Sequence, residues 1–116
     1  MQSFKKLKVW ERAHQLVLRI YSVTKLFPDD EKYGLTSQMR RSSSSIPMNL
    51  AEGCGKYSTP DILRFFQMAL GSTHELEYQL ILSKDLKYLK IDVFDSLVGE
   101  LGIIKAMLIN LIKKYR

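Results

Sequence analysis

The amino-acid sequence predicts an all-α protein, an antiparallel up-down-up-down four-helix bundle, and three observations carry that prediction. Apolar residues recur at intervals of three and four along almost the whole chain, which is the repeat of one helix face. Six Gly and three Pro in 116 residues leave few turn points, which favours long elements. No pair of alternating apolar strands flanks a hairpin turn. Four helices with short connections pack best against antiparallel neighbours. A chain of this length holds one core, so residues 1–116 form a single domain.

The first helix is expected over about Lys8 to Leu26. Val9, Trp10, Ala13, Leu16, Val17, Ile20 and Tyr21 form its apolar stripe. Leu26-Phe27-Pro28 ends it, because the residue before proline is pushed out of the helical region. An acidic connection, Asp29-Asp30-Glu31, follows. The second helix starts near Gly34–Thr36 and reaches about Cys54, with Leu35, Met39, Ser43, Ile46 and Leu50 inward. Pro47 lies inside it and removes one backbone hydrogen bond. Thr59, Pro60 and Asp61 read as N-cap, first-turn proline and dipole-matched acid of the third helix. That helix runs to about Lys87. Its inner stripe is Ile62, Phe65, Phe66, Ala69, Thr73, Leu76 and Leu80. Asp92 can cap the fourth helix, whose main stripe is Phe94, Leu97, Leu101, Ile104, Leu108, Leu111 and Tyr115.

Composition narrows the function. The net charge is +6, which raises affinity for polyanions. Lys5, Lys6, Lys8 and Arg12 cluster near one terminus and Lys113, Lys114 and Arg116 near the other. In an up-down bundle both termini share one end, so the clusters can merge into a patch for phosphates. The alternative is that they are solubilising termini. Cys54 is the only cysteine, which excludes an intrachain disulfide and fits a reducing compartment. The basic opening lacks the apolar core of a signal peptide. No stretch is apolar enough for a membrane span. A cytoplasmic protein is expected.

Catalytic groups do not converge. His14 and His74 lie on different helices, with no ligand spacing to each other or to Cys54, so no metal or other cofactor is expected. Ser42 to Ser45 lack a nucleophile elbow. They read as small residues that bond back to helix carbonyls and let helices approach. No phosphate-binding glycine pattern is present. No catalytic residue is assigned, and an enzyme is not expected. Two polar stripes remain, Gln38, Arg41, Ser42, Ser45, Asn49 and Glu52 on the second helix and Asp61, Arg64, Ser72, Glu75 and Gln79 on the third. They read as a binding surface, as solvated faces, or as a network between the two helices. Counting back from the loop near Lys56 sets Arg41 about level with Thr73. Arg40 or Arg41 is then expected to pair with Glu75 or Glu77.

The fourth helix carries more apolar surface than one core face needs. Ile103, Met107, Ile109 and Ile112 lie off its main stripe. A large exposed patch of this kind marks an interface more often than not, and closed symmetry is the usual way to bury it. A homo-oligomer is therefore expected.

Several segments resemble the four-helix bundle proteins encoded in 23S rRNA intervening sequences. They are Leu7-Lys8-Val9-Trp10-Glu11-Arg12-Ala13, then Phe27-Pro28, then Glu31-Lys32-Tyr33-Gly34-Leu35-Thr36-Ser37-Gln38-Met39-Arg40-Arg41. The most specific is Ser45-Ile46-Pro47-Met48-Asn49-Leu50-Ala51-Glu52-Gly53. Arg64-Phe65, Ala69, Gly71-Ser72 and Glu75-Leu76-Glu77 continue it, so the likeness spans Phe4 to about Leu89. It implies the bundle fold, oligomerisation and non-enzymatic character. It carries over Arg40, Arg41, Asn49, Glu52 and Gly53 as motif residues, structural or binding. Ser42 to Ser44 stand where the family has alanines, so this face is more polar than is usual. The family also resembles the accessory protein of diversity-generating retroelements, a pentameric barrel that binds nucleic acid and a reverse transcriptase. The resemblance thus suggests five subunits, RNA or DNA as a partner, and a reverse transcriptase or another protein as a second partner. The leading expectation is an oligomeric scaffold that binds RNA or DNA through phosphates. The alternative is a protein–protein adaptor whose basic charge is incidental.

Overall fold

A computed structural model describes residues 3–116. Its four helices are α1 (Lys8–Thr24), α2 (Leu35–Cys54), α3 (Thr59–Asp85) and α4 (Ile91–Tyr115). Single 3-10 turns at Phe4–Lys6 and Asp29–Glu31 precede α1 and α2. No strand occurs among the described residues. The long axis of 43 Å is about what a helix of α3's length spans at ~1.5 Å per residue.

Contacts between side chains fix the helix directions. Arg12 meets Glu100 and Arg19 meets Ser96, so α1 and α4 run antiparallel. Ser42 meets Gln79 and Met39 meets Ser83, so α2 opposes α3. Phe66 at the start of α3 packs edge-on against Tyr115 at the end of α4. Phe27 and Tyr88, from the two connections at the far end, also touch. Each helix packs on its two neighbours and neither diagonal pair does. This is the expected up-down-up-down bundle.

The core forms where the stripes meet. Leu16, Ile20, Met39, Ile46, Leu50, Phe66, Leu76, Leu80, Leu97, Leu101, Ile104 and Leu108 are fully buried. The α1 stripe is narrower than expected, with Trp10 and Val17 half-buried and Tyr21 exposed. On α4 the core takes Ile112, while Leu111 is only half-buried. Ile112 therefore leaves the proposed oligomer face. The reason is helical drift: 3.6 residues beyond Leu108 falls between 111 and 112. Leu111 turns toward Val9 of α1, and Ile112 turns toward Leu70 of α3.

The helix ends correct several expectations. The N-cap of α3 is Ser58 rather than Thr59; its Oγ accepts from the Asp61 N–H at 3.3 Å. Thr59 is itself the first helical residue, so the cap falls on the residue before it. Lys90, not Asp92, precedes α4, with no side-chain cap. Asp92 sits in the first turn, and its Oδ1 accepts from the next amide, Val93 N–H. α1 stops at Thr24, whose hydroxyl donates back to the Ile20 carbonyl at 2.7 Å. α3 stops at Asp85 because Lys87 adopts φ 67°. The Tyr88 N–H then reaches the Ser83 carbonyl and the Lys87 N–H the Lys84 carbonyl, the paired bonds of a Schellman stop.

Candidate nucleic-acid interface

The basic residues at the chain ends form two groups. The turn at Phe4–Lys6 packs on α1 and α2, and Lys6 with the start of α1 borders the last turns of α4. Lys6, Lys8 and Lys114 line one groove between them, together with Met107 and Asn110. All three lysines are exposed, and none takes part in an ion pair among the described residues. Lys5 is exposed on the same turn, outside the groove lining. Lys113 and Arg116 project to the other side of α4, beside Gln67 and Leu70 of α3.

Arg12 behaves differently from these lysines. Its Nε and Nη2 donate to the two carboxylate oxygens of Glu100, each at 2.9 Å. These bonds, with the carboxylate's charge, raise the Arg12 pKa. The carboxylate balances the guanidinium's charge in this bidentate pair. Arg12 thus joins α1 to α4, and the groove's free cations are lysines.

The motif residues of α2 divide between structure and surface. Gly53 is a contact glycine: a Cβ there would stand 2.8 Å from Phe66 Cε1 and 3.1 Å from Phe65 Cβ. Asn49 donates to the Ser45 carbonyl within its own helix, and Glu52 is exposed. Arg40 Nε donates to Thr24 Oγ1 at 2.9 Å and its Nη2 to the Tyr21 carbonyl at 3.3 Å. Arg40 therefore closes the carboxyl end of α1, where a cation matches the helix dipole. Arg41 is exposed.

The expected pairing of Arg40 or Arg41 with Glu75 or Glu77 does not form. Ser42 stands opposite Gln79, so Arg41 is level with Leu80, about two turns from Thr73. Equal counting from the Gly55–Ser58 connection fails because α3 is shifted along α2 by about two turns. Glu77 instead faces α4 and accepts from Lys105 Nζ at 2.7 Å. That hydrogen bond lowers its pKa, with the lysine charge adding to the effect and partial burial opposing it.

The polar stripes are mostly local. Ser43 and Ser44 donate to the Arg40 carbonyl, Ser45 to that of Arg41, and Ser42 to that of Met39. Only Ser42 bridges to α3, through Gln79. Gln38, Arg41, Glu52, Asp61, Arg64 and Glu75 are exposed. His14 stacks on Trp10 at 5.4 Å, and His74 is exposed. Cys54 is buried, and loss of hydration pushes its thiol pKa up. Among the described residues, no three His, Cys, Asp or Glu side chains gather as metal ligands would. None of the helices is long and apolar enough to cross a membrane.

On α4, Ile103 and Ile109 are exposed, while Met107 is half-buried and packs on the core. The sequence reading missed their neighbours. Gly99, Gly102 and Ala106 continue the same exposed face, and a Cβ at either glycine would meet nothing within 4 Å. Glycine costs a helix about 1 kcal/mol relative to alanine. Two such residues at a spacing of three leave this face of the helix low and open.

Fold and surface together define a four-helix bundle with a basic end and an unpartnered apolar face on α4. The chain belongs to the 23S rRNA-intervening sequence protein family, which it matches over residues 5–110. It is also similar to a crystal structure from Bacteroides thetaiotaomicron, a protein of unknown function from the S23 ribosomal protein family. The two share 26% identity over 90% of this chain and 95% of that one, with a TM-score of 0.84. Comparison with curated proteins returns no match.

Proposed function

We propose that this chain is a non-enzymatic cytoplasmic scaffold that assembles into a homo-oligomer and associates with RNA or DNA through phosphate contacts. The observation that carries the proposal is the groove where Lys6, Lys8 and Lys114 converge without carboxylate partners. Lysine acts on phosphate as a point charge, so such a groove binds backbone without reading bases. Assembly through the face of Gly99, Gly102, Ile103, Ala106 and Ile109 would repeat the groove and multiply its avidity. A pentamer is the number the family resemblance suggests. A reverse transcriptase is the protein partner suggested on the same ground.

One experiment tests both halves: light scattering of the free protein, followed by a salt titration of RNA binding. A mass several times 13.5 kDa is expected, and Ile103→Glu with Ile109→Glu should reduce it to that value with helicity kept. RNA affinity should fall linearly on log axes with salt, at a slope of about −0.7 per phosphate for single strands. Replacing Lys6, Lys8 and Lys114 with Gln should flatten the slope by about 2. A monomeric native protein refutes the assembly. Unchanged RNA affinity in the triple variant refutes the groove and favours an adaptor whose charge is incidental.

A further inference from the structure

A second cationic site lies at the opposite end of α1 from that groove. Tyr21 of α1, Lys32 and Tyr33 of the connection, and Ser37, Arg40 and Arg41 of α2 surround an open cleft of about 430 Å³. Ligand sites commonly measure about 300–1,000 Å³. No carboxylate lines the cleft. The neighbouring hollow, which shares Lys32 and Arg40, carries Asp29, and Lys25 lies in the same lining. Asp29 thus sits near two of the cleft's cations, with Lys25 as a further cation on that side. Glu31, the nearest in sequence, is turned away: it accepts from the Leu35 N–H and from the Tyr88 hydroxyl.

Two features go beyond a solvated charge cluster. Arg40 is held in place by Thr24 and the Tyr21 carbonyl, with its guanidinium 4.6 Å from the Tyr21 ring centroid. Those bonds use two of the five N–H donors of the fork. The other three are without a protein partner among the described residues, and Arg40 lines the cleft together with Arg41 and Lys32. Tyr33 is 88% exposed, with no aromatic neighbour among the described residues and the Lys32 ammonium 5.4 Å from its ring centroid. An exposed ring next to cations that have no salt-bridge partner among the described residues offers a stacking face and a phosphate contact within one site. A single-stranded nucleic acid presents both groups in each nucleotide, as an unpaired base and a phosphodiester. A duplex hides its base faces, and an acidic peptide has no planar base to stack.

We propose that this cleft binds single-stranded nucleic acid, with phosphate held by Arg40, Arg41 and Lys32 and a base stacked on Tyr33. The site is separate from the lysine groove, so the two readings fail separately.

The test is fluorescence anisotropy of a labelled ten-nucleotide oligothymidylate at low salt, using the full chain. Tyr33→Ala should weaken binding roughly 5- to 100-fold, and Tyr33→Phe should restore it. Lys32→Gln with Arg41→Gln should weaken binding and flatten the salt slope by about 1.4. These residues are exposed, so circular dichroism should be unchanged. A ten-residue oligoglutamate should compete poorly against unlabelled oligothymidylate. Unchanged affinity in Tyr33→Ala overturns the proposal, as does equal competition by oligoglutamate, which would mark a site for an acidic protein. Loss of binding only when Lys6, Lys8 and Lys114 are replaced overturns the cleft and leaves the groove standing. Loss only in the cleft variants supports the cleft and removes the groove. A wild type that binds no oligonucleotide overturns both.

Discussion

Where α2 meets α3, Gly53 admits the ring of Phe66 almost to the backbone; where α1 meets α4, a long arginine spans the gap to Glu100. The first seam is dry. Met39, Ile46 and Leu50 face Phe66, Leu76 and Leu80, and even its polar members, Ser42, Ser43, Gln79 and Ser83, are buried. The second seam is tied at its rim by Arg12–Glu100 and Arg19–Ser96, both exposed bonds. The difference follows from side-chain size. Small residues at positions 42, 43 and 53 let two backbones close, and close packing then excludes water from the few polar atoms left inside. Long charged residues hold helices farther apart and work in water, where an ion pair contributes little.

That contrast can be broken at three points. Met39→Ala should have the largest effect, a loss of about 2–5 kcal/mol measured by urea unfolding, because the seam cannot collapse onto the space left. Arg12→Ala, by comparison, should move the unfolding midpoint far less, because its ion pair works in water. Equal losses would mean that the two seams do not differ in kind. Next, Ser42→Ala should cost about 1–3 kcal/mol, since the buried Gln79 amide loses its partner. Gln79→Leu in the same background should recover part of the loss by removing the polar group altogether. No recovery would mean that the serine matters for packing rather than for its hydrogen bond.

The smallest effect sharpens the rim side of the comparison. Glu77 has its pKa lowered by Lys105, so its contribution is present above the ordinary glutamate value of about 4.3. It is lost as pH falls through the lower folded value. The carboxylate side is 38% exposed, so solvent limits the contribution to about 0.2–1 kcal/mol. Glu77→Gln should therefore lower stability slightly at pH 7 and have no effect near pH 2. A difference that persists at pH 2 would point to packing instead of charge.

The sequence was most legible where a pattern has one physical meaning. A repeat of three and four in apolar residues forces an amphipathic helix, and all four helices stand within a few residues of their expected spans. The ends were less legible because neighbours compete for the same amide: Ser58 takes the cap that Thr59 could have filled. On α4, Leu111 and Ile112 both lie near the inner face, and the choice depends on which neighbour reaches further. The cleft at Tyr33 could not be read at all, since its residues come from α1, the connection and α2. Of its charged residues only Arg40 and Arg41 were singled out beforehand, as motif residues, as partners for glutamates and, for Arg41, as part of a polar stripe on α2.

By itself the sequence determined the number, order and polarity of the helices, the basic balance, and the surplus of apolar residues on α4. These are local or additive properties, set by spacing and count. Tertiary structure alone decided which charges are spent and which are free. Arg12 and Lys105 are tied to carboxylates, Arg40 is held at the end of α1, and Lys6, Lys8 and Lys114 stand unpaired. The physical reason is range: an ion pair needs its partners within about 4 Å, and that distance depends on the rotation and offset of whole helices, to which no spacing along one chain segment is sensitive.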